Sequence, residues 1–179
     1  MSKKATIIIF SLIILTALFL RVRSSLPILK VKGESLRWED FSKNKEGLVR
    51  FRDLSKNSAS NDDIGKGVLL SFIENTLVRK ELESVGIKDT DAEKMADGVI
   101  SGEGRDKIEA ASLQLYGWTT EDFGKFVLIP QARRNLLDDE FQRKNIDFES
   151  WLEKSLPEAR ISIYLFRWKW SGSDIVKRF

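Results

Sequence analysis

The chain has 179 residues, 42% hydrophobic and 32% charged, the proportions of one folded domain with an appendage rather than of a disordered chain. It contains neither Cys nor His, which excludes disulfides, thiol nucleophiles, Cys-ligated zinc and a lipid-modified N-terminal Cys, and removes the commonest general base and metal ligand. Residues 1–25 hold Lys3, Lys4, Arg21 and Arg23 and no acid, leaving 26 basic against 27 acidic residues elsewhere, so no nucleic-acid-binding surplus is expected in the main body.

The first segment, Ala5 to Leu20, reads ATIIIFSLIILTALFL, sixteen residues without a charge. As a helix it would be roughly 24 Å long, slightly short of a hydrocarbon core of about 30 Å, a gap that flanking residues or local thinning can cover. A cleaved signal peptide is the competing reading, with a cut near Ser24 or Ser25. The apolar run ends in Leu-Phe-Leu-Arg, however, without the small-residue cleavage pattern. The expectation is therefore an uncleaved signal anchor over residues 1–25 and a domain over residues 26–179. With basic residues on both flanks, the short basic leader favours a single-pass protein with its N-terminus cytoplasmic and its C-terminal domain on the exported (periplasmic or extracellular) side.

Ile28 to Lys32 is a short candidate strand, and Gly33-Glu34 a turn leading into a helix from about Trp38 to Leu54. Ser55 to Asp62 (SKNSASND) has the composition of a loop. Ile64 to Val85 carries the clearest helical period, with Asp62 or Asp63 placed to cap its start and Gly86 its end. Ile64, Val68, Val78, Leu82 and Val85 share one face while Leu69, Ile73 and Leu77 lie opposite, which predicts a central helix. Thr90-Asp91-Ala92-Glu93 has the pattern of a capping box for a short helix to Ile100, closed by the turn Ser101 to Gly104. Another helix, Arg105 to Leu115, stops at Gly117.

Thr119 caps a longer helix on which Phe123, Phe126, Val127, Pro130, Leu137 and Phe141 fall within one arc. Pro130 has no N–H for the carbonyl of Phe126 and is expected to kink it. Phe148 to Leu156 predicts a last short helix terminated by Pro157. In Ala159 to Trp170 (ARISIYLFRWKW), Ile161, Ile163 and Leu165 alternate with Tyr164, Phe166 and Trp168, the period of a strand with two usable faces. A lone strand is not viable, so this one is expected to pair with Ile28 to Lys32.

The chemistry-bearing patterns favour structural roles. Asp138-Asp139-Glu140 is flanked by Arg133, Arg134, Arg143 and Lys144 and reads as a solvated, ion-paired helix surface rather than an acid–base pair. Asp89, Asp91 and Glu93 lack the glycine turn and distal Glu of a calcium loop, and Gly102-Glu103-Gly104 lacks the Lys and Ser/Thr of a phosphate-binding loop. The five Trp residues are more suggestive. Core or sheet packing accounts for them, and so does an exposed aromatic surface that accepts extended apolar polypeptide or touches a membrane interface.

In order and spacing the segments resemble the N-terminal chaperone domain of the SurA type, shared with membrane-anchored PpiD-like proteins. The resemblance is carried by Val31 to Phe41 (VKGESLRWEDF), Val68 to Glu74 with Val85 to Glu93 (VGIKDTDAE), Tyr116-Gly117-Trp118-Thr119 with Phe123, and the closing ARISIYLFRWKW. It covers roughly residues 28–170. Such proteins commonly insert a parvulin-type prolyl isomerase domain before the closing strand. Here about ten residues separate Leu137 from Phe148, and without His the usual parvulin site cannot be assembled.

The resulting expectation is a mainly α fold: a multi-helix SurA-N-like domain, closed by a small β-sheet pairing N- and C-terminal strands and preceded by a transmembrane helix. The resemblance implies ATP-independent chaperone work on unfolded or newly exported polypeptides, without isomerase or other enzymatic activity and without a cofactor or metal. The alternative is a structural or adaptor subunit docking on a translocation or envelope complex. Candidate peptide-binding residues are Trp118, Phe123, Trp168 and Trp170; nucleic acid is not an expected partner.

Overall fold

The structure, a computed structural model, describes residues 25–102, 104–165 and 167–178. The signal anchor expected in the first 25 residues lies outside the described part, Ser25 excepted. Among the described residues no helix is long and apolar enough to cross a membrane.

The described chain is mainly helical with small antiparallel sheets. It opens with strands β1 (Pro27–Val31) and β2 (Glu34–Arg37), followed by helices α1 (Trp38–Ser55), α2 (Asn61–Ser84), α3 (Asp89–Ser101) and α4 (Arg105–Tyr116). Helix α5 (Thr120–Phe123) runs through a π-helical stretch, Gly124–Leu128, into α6 (Ile129–Arg143). Helix α7 (Phe148–Glu158) and strands β3 (Ile161–Ile163), β4 (Trp168–Trp170) and β5 (Ile175–Lys177) complete it.

The two ends of the domain do meet. Strand β1 pairs antiparallel with β3 through Leu29–Ile163, Lys30–Ser162 and Val31–Ile161, and its other edge pairs with β2 to give the order β2-β1-β3. Leu29, Val31, Leu36 and Ile163 turn one sheet face onto Val68, Leu69, Ile73 and Leu77 of α2. Further along α2, Val78 and Leu82 pack with Leu137, Phe141 and Phe148. Helix α2 is thus central, as its sequence predicts, but the two clusters divide it along its length: Val68, expected on the face of Val78 and Leu82, packs with Leu69, Ile73 and Leu77.

Several expectations need correction. The turn after β1 leads not directly into a helix but through β2, whose four residues are too few to show a period of two. The closing strand is broken: β3 joins β1, whereas β4 pairs with β5 in a separate two-stranded sheet. Helix α2 begins at Asn61, inside the expected loop. Its cap is Ser60, whose hydroxyl accepts from the Asp63 N–H while the Asp63 carboxylate accepts from the Ser60 N–H. Asp63 is therefore the reciprocal partner, not the cap itself.

At α3 the expected Thr90–Glu93 box does not form; the helix starts at Asp89 with no side-chain cap. Arg133 of α6 grips the Asp89 carboxylate in two parallel hydrogen bonds of 2.6 Å, and this inter-helix pair holds the helix start instead. Pro157 does not end α7 but sits in its last turn.

Pro130 is accommodated by a wide turn just before it, where the Ile129 N–H donates back to the Gly124 carbonyl. A π turn adds one residue, which rotates the later side chains by about 100°. That shift separates the predicted single arc: Leu137 and Phe141 enter the cluster around Val78, while Phe126 turns toward Trp118.

Candidate functional site

Trp118 anchors one side of the domain. Gly117 takes a left-handed φ of 71° and ends α4, sending the next residue back across the body. The Trp118 indole is buried, stacks on Tyr116 at 4.5 Å, and donates from Nε1 to the Lys43 carbonyl of α1 at 3.1 Å. Phe51 extends the stack beyond Tyr116 at 5.1 Å, and Phe126 tilts against the indole at 5.2 Å.

Beneath this stack, Thr119 caps α5 as its sequence predicts. Its hydroxyl accepts from the Asp122 N–H, and the Asp122 carboxylate accepts from the Thr119 N–H and hydroxyl. Burial alone raises the Asp122 pKa, but the Lys43 ammonium at 2.6 Å and the two Thr119 donors outweigh it and hold the carboxyl below its ordinary range. In return, Asp122 raises the Lys43 pKa.

The four sequence-predicted residues do not form one surface. Trp118 and Trp168 are buried, and Phe123 and Trp170 are half-buried. Trp118 meets α1 at Lys43 and Gly47, while Trp168 shares a small cavity of about 150 Å³ with Phe41 and Lys45 of the same helix. At 100° per residue those pairs lie on opposite faces, so α1 itself separates the two indoles. Their weight is in packing.

The structure instead opens a cleft between β2, α2 and the π stretch with α6. It consists of two adjoining volumes of about 240 and 250 Å³ that share Ser71, Asn75, Phe126 and Pro130. Its apolar surface comes from Leu36, Phe72, Phe126, Ile129 and Pro130. Its polar surface is more telling. Asn44 and Ser71 side chains make no hydrogen bond within the described residues, and Asn75 spends only its carbonyl oxygen, on Arg133. One wall is β2, an edge strand of its sheet.

Charges around the cleft are all spent on one another. Arg79 meets Glu34 at 2.6 Å, Arg134 meets Glu74 at 2.7 Å, Arg133 holds Asp89, and Lys125 pairs with Asp40. The Arg79 guanidinium keeps the Glu34 carboxyl below the usual carboxylate range, so Glu34 is a poor proton acceptor at neutral pH. Elsewhere, Glu140 of the acidic run is bridged by Arg143 and Lys144. The cleft can therefore offer apolar contact and neutral hydrogen-bonding groups, the requirements of a polypeptide backbone with apolar side chains.

No cleft residue was expected to be functional from the sequence, although Phe126 and Pro130 were placed on the long helix. A signal was present: Ser71 and Asn75 form an i, i+4 polar stripe on a helix that is otherwise apolar on both sides, and Phe126 and Pro130 repeat that spacing. A scan against protein-family models found no match, and neither curated proteins nor solved structures gave one.

Proposed function

We propose that this chain is a membrane-anchored, ATP-independent chaperone-like protein that holds extended segments of unfolded or newly exported polypeptides in the cleft beside β2. One observation carries the reading: unspent amide and hydroxyl groups of Asn44, Asn75 and Ser71 stand over an apolar floor beside an edge strand. An extended client can add main-chain hydrogen bonds along such an edge and set alternate side chains against Phe72, Phe126 and Pro130. The pairing of β1 with β3 supports the SurA-type resemblance, in which a first and a closing strand frame the helices. The absence of His supports binding without isomerase activity.

The test is binding of a fluorescent, permanently unfolded client to the full chain in lipid nanodiscs. Saturable binding that Ser71→Trp abolishes is expected; no binding at severalfold excess overturns the reading. A second reading, an adaptor docked on one translocation or envelope protein, is favoured by the burial of Trp118 and Trp168, which removes two indoles from any broad client surface. A single stoichiometric crosslinked partner, with no general client binding, distinguishes it.

A further inference from the structure

The outer face of the three-stranded sheet carries a set of basic side chains that lies outside the cleft's own charge pairs. Lys30 of β1 pairs across to Ser35 and Ser162, and all three side chains are exposed. Arg37, Lys32 and Arg160 stand exposed on the same strands and their ends. None of these four basic side chains has an ion-pair or hydrogen-bond partner among the described residues. Their nearest acids in sequence are Glu34, already held by Arg79, Glu39, exposed two positions after Arg37, and Glu158 at the end of α7. Leu26, 51% exposed, and Tyr164, 58% exposed, flank this basic set with apolar surface.

Chain length fixes where this face can be. Leu26 follows the last residue of the uncharged run, Leu20, by six positions, and Arg21 and Arg23 lie between them. Six residues span at most roughly 20 Å. With Ala5 to Leu20 in a bilayer, the start of β1 cannot leave the headgroup region by more than that distance. Unpaired Lys and Arg flanked by a Tyr and a Leu suit that region, where phosphates are acceptors and aromatic rings are favoured.

We infer that the outer face of the β2-β1-β3 sheet rests on the membrane surface, with Lys30, Lys32, Arg37 and Arg160 bound to anionic lipid headgroups. This rests on the membrane-anchor reading but not on client binding. Each basic side chain at an anionic surface strengthens attachment about fivefold, so four give a contact that salt loosens. The contact would orient the domain on its short tether and set the cleft beside β2 close to the bilayer.

The absence of native Cys makes the test direct. The full chain carrying a single fluorophore at Ser162→Cys is placed in nanodiscs of pure phosphatidylcholine or of phosphatidylcholine with phosphatidylglycerol. Quenching by water-borne acrylamide is then compared, with Lys107→Cys on α4 as the control position. The expected result is several-fold less quenching at 162 in the anionic discs only, lost in high salt and in a Lys30→Glu, Arg37→Glu, Arg160→Glu variant, with position 107 unchanged. Equal quenching at 162 in the two lipids overturns the inference and leaves the basic face to an acidic protein. Protection that survives the triple reversal overturns it as well. Retention of the chain in discs of both compositions is read separately as the test of the anchor, and failure there removes the inference without touching the cleft.

Discussion

A Cβ built on Gly47 would lie 2.1 Å from Nε1 of Trp118. The indole therefore lies directly against the backbone of α1 at the one position of that contact where no side chain intervenes. Gly47 is buried in the middle of a helix, where glycine costs about 1 kcal/mol relative to alanine, and the close approach of the ring is what requires it.

That contact predicts the sign of a substitution that would ordinarily stabilise. Gly47→Ala gains helix propensity but forces the ring out of its slot, and overpacking of this kind costs about 1–3 kcal/mol. The net effect should be a lowered melting temperature by a few degrees, together with weakened Trp fluorescence coupling to Tyr116. An unchanged or raised melting temperature in circular dichroism would contradict the packing.

Asp122 links the same region to acid. Its carboxyl is held below its ordinary value of 3.8, so its contribution to stability is complete above that pH and fades as pH falls through the lower folded value. Asp122→Asn loses the Lys43 ion pair and leaves the capping box an uncharged amide oxygen as its acceptor. At pH 7 it should be less stable by about 1–2 kcal/mol. Denaturant midpoints of the two proteins should converge as pH drops below 3.8. A gap that stays constant down to pH 2 would show that the carboxylate charge is irrelevant.

The cleft can be closed without touching the core. Ser71 is exposed and lines both adjoining volumes, so Ser71→Trp should fill the cleft while leaving the unfolding midpoint within about 0.5 kcal/mol of the parent. Client affinity should fall at least tenfold. Undiminished binding by a folded Ser71→Trp protein places the client elsewhere.

Pairing of β1 with β3 makes the last strands indispensable. Ending the chain at Glu158 removes Ile163, Trp168 and Ile175 from the cluster that buries Leu29 and Val31. Leu29 is fully buried, and even Leu29→Ala should cost about 2–5 kcal/mol. The truncated chain should lose cooperative thermal unfolding and bind hydrophobic dyes; a sharp native-like transition would show that the helical body stands without its sheet.

What the sequence determined by itself is mostly local. The Thr119 cap, the left-handed Gly117 and the two-sided period of α2 each depend on groups a few residues apart, so their chemistry is visible in the string. Pairing of β1 with β3 was also legible, because strand-forming segments are few and a single strand must find a neighbour. Tertiary structure alone decided the rest. Edge strand β2 exists only because β1 offers hydrogen bonds across a tight turn, and the run Ala159 to Trp170 breaks because β3 and β4 answer to different partners. Helix α3 starts where Arg133, 44 residues away, holds Asp89. The burial of Trp118 depends on a missing side chain at Gly47, 71 positions earlier in the sequence. A residue's own neighbours set its caps and period, but which face is covered, and which amide is left unspent in a cleft, follows from atoms that only folding brings together.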